Sequence, residues 1–147
     1  MKKNAGFTLL ELVTVIAIIG IISAIATPNV IQWLNNQKFN AATRNLNAFI
    51  QDVRLKAIKE NTHKRIQFDD SNDRYREYFW DRQNVGWVYE DWQKLPAGIT
   101  MSTPSFSIIF FDHRGMANAN RRITLTGPVG QQLDVEIGLT GTSRITG

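Results

Sequence analysis

Residues 7–26 of this chain read FTLLELVTVIAIIGIISAIA, a stretch in which Glu11 is the only formally charged side chain. As an α-helix these residues span roughly 30 Å, about the thickness of the hydrocarbon core of a bilayer. Lys2 and Lys3 precede the stretch, and the positive-inside rule then places the N-terminus in the cytoplasm. The sequence therefore predicts one membrane-spanning helix, with the remaining residues on the far side of the inner membrane.

Two ordinary interpretations leave Glu11 without a purpose. A plain signal anchor stays uncut, whereas a secretory signal peptide is cut after a motif such as Ala24-Ile25-Ala26. The apolar run is longer than the roughly 7–15 residues of a signal-peptide core. A carboxylate in such a run also opposes insertion, by up to about 2.5–3.5 kcal/mol at mid-bilayer. A third interpretation has to explain why the acid is there.

The segment Gly6-Phe7-Thr8-Leu9-Leu10-Glu11 resembles the cleavage motif of type IV prepilins and type II secretion pseudopilins. The resemblance implies that a prepilin peptidase cuts between Gly6 and Phe7 and N-methylates the new terminal residue, Phe7. It further implies that Glu11 pairs with the terminal amine of a neighbouring subunit in a filament. The pairing has a physical reason, because an unpaired charge in a low-dielectric region is unfavourable.

A helical pattern continues beyond the apolar stretch. Pro28 predicts a kink, since proline removes a helix hydrogen bond. Apolar residues then recur at steps of three or four, at Ala42, Leu46, Phe49, Ile50, Val53 and Ala57. We therefore expect one helix from about Phe7 to Glu60. The predicted organisation is a leader (1–6), a transmembrane and assembly segment (7–28), an amphipathic helical segment (29–61) and a β-rich globular head (62–147).

The head has the pattern of short antiparallel strands. Residues 65–68 and 74–80 flank an Asp/Asn-rich turn and predict a hairpin. The apolar run Phe106–Phe111 predicts a central strand that is buried on both faces. Leu133, Val135, Ile137 and Leu139 alternate with polar residues, which predicts one buried and one wet face. The fold class is therefore α+β, a long N-terminal helix packed on an antiparallel β-sheet head.

Two head segments carry a second resemblance. Residues 110–115 (FFDHRG) and 141–145 (GTSRI) resemble the C-terminal domain of GspH/FimT-type minor pilins and pseudopilins. The resemblance implies a minor subunit of an inner-membrane-anchored filament, either a type II secretion pseudopilus or a type IV pilus. Its implied partners are other pilin subunits, through the N-terminal helix, and prepilin peptidase. The head would be periplasmic, and the assembled filament would lie in the periplasm or at the cell surface.

Candidate chemistry outside the helix is sparse. The chain has no cysteine and two histidines, which excludes thiolate and histidine-rich metal sites. No nucleophile or phosphate-binding motif is present, so we expect no enzyme activity, no metal and no cofactor. His113 beside Asp112 fits a solvated turn better than a catalytic pair, and the acidic run 69–73 fits a hairpin turn better than a calcium loop.

Two surface interpretations stay open. Some type IV pilus members of the resembled family bind DNA through arginines near the C-terminus, so Arg121, Arg122 and Arg144 define an alternative function, a pilus-associated DNA receptor for natural transformation. Only Arg144 lies in the terminal segment, and the net charge of +4 does not by itself imply nucleic acid. Six Trp and Tyr residues crowd residues 75–92 and could fill the core, form a subunit interface, or stack on sugars or bases. The alternation of residues along the strands does not show which of these side chains face the core and which face outward.

Overall fold

A computed structural model describes residues 7–81, 85–104 and 107–147. Gly6, on one side of the predicted cleavage site, and Phe106, in the predicted central strand, lie outside these ranges. One helix, α1 (Leu9–Lys59), agrees closely with the predicted Phe7–Glu60. The chain divides into two compact units, and the second begins at Asn36.

The ends of α1 follow from local chemistry. The Thr8 hydroxyl accepts a hydrogen bond from the Glu11 N–H at 3.2 Å, which caps the first turn. At the other end Asn61 is left-handed, with φ 49°, and the Thr62 N–H donates to the Ala57 carbonyl at 3.0 Å. This turn satisfies a carbonyl that the last helical turn leaves open.

Two antiparallel sheets make up the head. Nine strands occur in the described ranges: β1 (Lys64–Asp69), β2 (Arg74–Asp81), β3 (Gly86–Tyr89), β4 (Gln93–Lys94), β5 (Thr100–Ser102), β6 (Ile108–Phe111), β7 (Arg121–Thr126), β8 (Gln132–Ile137) and β9 (Ser143–Thr146). The first sheet has the order β3-β2-β1-β6, with β4 also pairing with β2, and the second has the order β5-β7-β8-β9. The α+β class and the β1–β2 hairpin are confirmed.

One core joins the helix to both sheets. The helix buries one face, formed by Phe39, Ala42, Thr43, Leu46, Ile50, Val53 and Ala57. Alternate residues of the strands meet it, among them Ile66 and Ile109 from the first sheet and Ile123 and Val135 from the second. The predicted helical stripe is confirmed except for Phe49, which is half-buried and packs against the core.

The predicted central strand is wrong in its place and its burial. Strand β6 lies at the end of the first sheet's strand order, and Ile108 is 39% exposed while Ile109 and Phe111 are buried. Phe110 faces outward and is half-buried, with the His63 ring stacked on it at 5.1 Å between centroids. Similarly, Leu139 was expected to be buried but is 51% exposed, because β8 ends at Ile137 before the Gly138 turn.

Candidate assembly helix and head surfaces

The first turn of α1 carries the predicted assembly residue Glu11, and Phe7 lies two residues before the helix begins. Phe7 is 87% exposed, and Thr8 is the N-cap that accepts the Glu11 N–H. Glu11 thus occupies the third helical position, where the positive end of the helix dipole favours a carboxylate. The Thr-x-x-Glu spacing is a capping-box signal that the sequence analysis missed. Glu11 therefore has a local role in starting the helix, whatever it does in assembly.

The apolar half of the helix has no partner within its own unit. Every residue from Phe7 to Leu34 is exposed, including large aliphatic side chains on all sides of the helix. Among the described residues this is the one helix long and apolar enough to cross a membrane. An apolar surface of this extent requires lipid or other protein to cover it.

Two threonine hydroxyls in this half are satisfied within the helix. The Thr14 hydroxyl donates to the Leu10 carbonyl at 2.7 Å, and the Thr27 hydroxyl donates to the Ser23 carbonyl at 2.6 Å. Such internal bonds are what a low-dielectric surrounding demands of polar groups. The helix assignment runs unbroken through Pro28, and the kink expected there stays a prediction.

The three candidate DNA-binding arginines gather at one cleft in the second sheet, of about 590 Å³. Arg122 and Arg144 flank Glu136 on neighbouring strands, each with a guanidinium nitrogen 2.8 Å from a Glu136 oxygen. Arg144 and then Arg122 hold the pKa of Glu136 below its usual range through these hydrogen bonds. Arg121 also lines this cleft, but it is consecutive with Arg122 on β7, so its side chain leaves the opposite face of the strand. The Glu136 carboxylate between Arg122 and Arg144 neutralises much of the positive charge that would otherwise attract a phosphate.

The two segments that resemble GspH/FimT-type proteins meet on α1. Arg54 donates from Nε to the Gly115 carbonyl at 3.0 Å, and Gln51 donates to the Gly141 carbonyl at 3.3 Å. Both glycines have positive φ, 76° and 75°, which L side chains rarely adopt. The glycines of these segments thus shape turns that close against one face of the helix.

A buried ionic cluster joins the helix to the first sheet. Glu77 on β2 accepts from Lys56 at 2.9 Å and from Lys64 at 3.2 Å. The side chains of Glu77 and Lys64 are only 3% and 4% exposed. Lys64 also pairs with Glu60 at 2.8 Å, and Lys56 with Asp52 at 3.0 Å. The sequence analysis missed this cluster, because alternation alone does not identify a buried charge on β1.

The aromatic cluster is divided between the core and the outer face of the first sheet. Tyr75 faces the helix and packs on Phe49, with ring centroids 4.9 Å apart. Trp87 and Tyr89 lie on the opposite face and are 40% and 50% exposed.

Arginines cover this outer face. Arg65 lies 4.2 Å from the Trp87 ring centroid, and Arg76 lies 4.3 Å from that of Tyr89 and 4.2 Å from that of Trp92. We call this arginine-capped surface the aromatic face. Its composition is typical of protein contact surfaces.

The sequence of this chain is similar to those of known proteins over its N-terminal residues. Residues 1–27 match the family described as the prokaryotic N-terminal methylation motif. Over 46 residues the chain is 52% identical to the type IV major pilin protein PilA of Myxococcus xanthus strain DK1622. That match covers 31% of this chain and 21% of the relative, so the similarity spans about a fifth of the curated relative's length. The chain has the N-terminal motif of the type IV pilin-like family.

Solved structures extend the likeness of this pilin-like chain to its head, as a likeness of fold. The minor pseudopilin EpsH of the Vibrio cholerae type 2 secretion system superposes with a TM-score of 0.64 at 12% identity, over 74% of this chain and 96% of EpsH. The type IV minor pilin FimU of Pseudomonas aeruginosa strain PAO1 superposes with a TM-score of 0.61 at 17% identity, over 78% of this chain and 90% of FimU. The pilin-like fold is therefore shared by one protein of each filament class.

Proposed function

We propose that this chain is a minor structural subunit of an inner-membrane-anchored filament, of either the type II secretion pseudopilus or the type IV pilus class, with a role in priming assembly. The observation that carries the proposal is the capped, fully exposed apolar helix with one carboxylate in its first turn. Lipid covers such a surface before assembly, and helices of neighbouring subunits cover it afterwards.

Processing precedes assembly in this proposal. Prepilin peptidase removes residues 1–6 and methylates Phe7, leaving a cationic amine four residues before Glu11. Lys2 and Lys3 keep this end in the cytoplasm, and the head lies in the periplasm. The Glu11 carboxylate of one subunit then pairs with the Phe7 amine of its neighbour, which sets the register between helices. Residues 7–28 form the membrane and assembly segment, residues 29–61 the amphipathic segment, and residues 62–147 the head.

Replacing Glu11 tests the pairing step separately from cleavage. We expect Glu11→Ala to be cut and methylated at Phe7, as read by mass spectrometry of the mature N-terminus. Its recovery in sheared filaments or cross-linked oligomers from its own host should fall about tenfold or more, because the neighbour's amine loses its counter-charge in a low-dielectric interface.

Thr8→Ala is the matched control. It removes the hydroxyl that caps the Glu11 N–H and keeps the carboxylate, so it costs only about 1 kcal/mol of helix stability and assembly should stay near wild type. Normal assembly of Glu11→Ala would reject the pairing role. A mature product that begins at a residue other than Phe7 would reject the processing step.

DNA reception is the second candidate function, since Arg122 and Arg144 stay 61% and 76% exposed at the side chain. We favour the structural role, because Glu136 and Asp134 lie beside these guanidinium groups and oppose phosphate binding. A salt-dependent gel shift by the protein that disappears on charge reversal at Arg121, Arg122 and Arg144 would support the receptor. The absence of any shift at low salt would eliminate it.

A further inference from the structure

The two histidines of this chain lie side by side, although fifty residues separate them in the sequence. His63 follows the end of α1, and His113 lies in the turn after β6. Their ring centroids are 5.9 Å apart, with the ring planes inclined at 71°. Both residues are exposed. The proposed assembly function uses neither of them.

The backbone holds both imidazoles in place. In the β1–β6 register Lys64 pairs with Phe111, so His63 lies beside the end of β6, where its ring stacks on Phe110 at 5.1 Å. The turn that carries His113 is fixed by Asp112, whose Oδ1 accepts the Arg114 N–H at 2.9 Å and the Met116 N–H at 2.8 Å. The approach of the two rings therefore follows from strand pairing and turn geometry.

The charged groups around the pair limit what it can bind. The Asp112 carboxylate is engaged by its own turn and by the Arg114 guanidinium at 3.2 Å. Arg65 lies 5.4 Å from the Phe110 ring on which His63 stacks. No group of three metal-ligating side chains occurs in the parts of the chain that the structure describes. The two imidazoles are therefore the ligand groups that this site offers to a metal ion.

We propose that His63 and His113 together chelate one late first-row divalent cation, with Cu²⁺ bound more strongly than Ni²⁺ or Zn²⁺. Neutral imidazole is a good ligand for these ions, and Cu²⁺ forms the strongest complexes in this order. An ion about 2.0–2.1 Å from one nitrogen of each ring holds the two ring centres roughly 5–6 Å apart, so rotation of the side chains suffices and the backbone can stay in place. Water completes the coordination sphere. The bound ion ties the exit of α1 to the β6 turn, and it therefore stabilises the folded head by mass action.

Calorimetric titration of CuCl₂ and ZnCl₂ into the full-length protein in detergent micelles, in a non-chelating buffer, tests the site. His63→Gln and His113→Gln each leave one imidazole, and the double variant measures background binding by the rest of the chain. Glutamine preserves polarity at two exposed positions, and near-UV circular dichroism checks that each variant is folded. We expect one Cu²⁺ per wild-type chain above background, and a Kd about tenfold higher or more in each single variant, because the second ligand no longer acts at high effective concentration.

The comparison among the variants separates chelation from independent binding. For a chelate, removing the second histidine should weaken binding far less than removing the first. Single variants that keep the wild-type Kd would overturn the proposal, as would a wild-type protein that binds no more Cu²⁺ than the double variant. A higher Tm of the wild-type protein in the presence of Cu²⁺, absent from the double variant, is the expected second readout.

Discussion

At the residue scale, backbone geometry explains why the head needs glycine at Gly141. A Cβ built there would lie 1.8 Å from the Gly115 carbonyl oxygen and 2.8 Å from Nε of Arg54. Backbone atoms cannot move aside as a flexible side chain can, and φ is also positive. The Gly141 turn and the Gly115 turn thus depend on each other and on the helix.

We expect Gly141→Ala to lower the free energy of unfolding by about 3 kcal/mol or more, from left-handed strain together with the steric clash. Gly130→Ala is a matched control, because its φ is 81° but nothing lies within 4 Å of the added Cβ. The control should cost only about 1–2 kcal/mol. Urea denaturation of both variants measures the difference. Equal losses would mean that the contact with the Gly115 carbonyl is unimportant.

At the element scale, patterns within one segment and the pairing of adjacent strands β1 and β2 were predictable, whereas partnerships between distant segments were not. The 3.6-residue period gave the helix and its buried stripe to within a few residues, because burial on one face imposes that period. The division into two sheets, the edge position of β6 and the burial of Lys64 follow from which strands pair, and strand pairing leaves little trace in a local pattern. The apolar run at β6 was misleading because its outer face carries Ile108, which is 39% exposed, and Phe110, on which the His63 ring stacks.

The Lys64–Glu77 pair allows a test of how the helix and the first sheet are held together. Glu77→Gln leaves the buried Lys64 ammonium with Glu60, which is 49% exposed, as its remaining ionic partner, so we expect a loss of about 3 kcal/mol in the free energy of unfolding. The exposed pair of Lys56 with Asp52 is a suitable control, and Asp52→Ala should cost less than about 1 kcal/mol.

Adding Lys64→Met to Glu77→Gln should recover much of this loss, since it removes a buried charge that has lost its buried partner and keeps the aliphatic stem. Urea denaturation of the two single variants and the double variant gives the coupling energy. A double variant that is no more stable than Glu77→Gln alone would show that the cost of the Glu77 substitution does not come from the buried Lys64 charge.

At the scale of the whole molecule, the buried core and the exposed apolar surface come from separate stretches of sequence. Every residue of the buried cluster lies between Phe39 and Ile137, within the second unit. The residues from Phe7 to Leu34 contribute none, and the proposed function uses their exposed apolar surface for contact with lipid or other subunits. This division explains why the sequence identity to a major pilin is confined to a short stretch, while the head shares only its fold with minor subunits.

Three carboxylates spread over the head link its stability to pH. Arg74 and then Asn72 donate hydrogen bonds that lower the pKa of Asp69. The Met116 N–H, followed by Arg114, lowers the pKa of Asp112, as Arg144 and Arg122 do for Glu136. In the unfolded chain these groups have pKa values of about 3.9 for Asp and 4.3 for Glu. The unfolded state therefore binds more protons than the folded state in acid.

Stability should consequently be constant near neutral pH and decline as the pH falls from about 5 through the lowered pKa values of the folded state. We expect Asp112→Asn to make this decline shallower, by at most about one proton in the pH slope of the unfolding free energy. The asparagine side-chain oxygen still accepts the Met116 and Arg114 N–H groups, so the turn survives while the titrating group is gone. Urea midpoints of the wild type and the variant, measured from pH 7 to pH 3, give the two slopes. Parallel curves would show that the Arg114 and Met116 N–H groups do not stabilise the negative charge of Asp112.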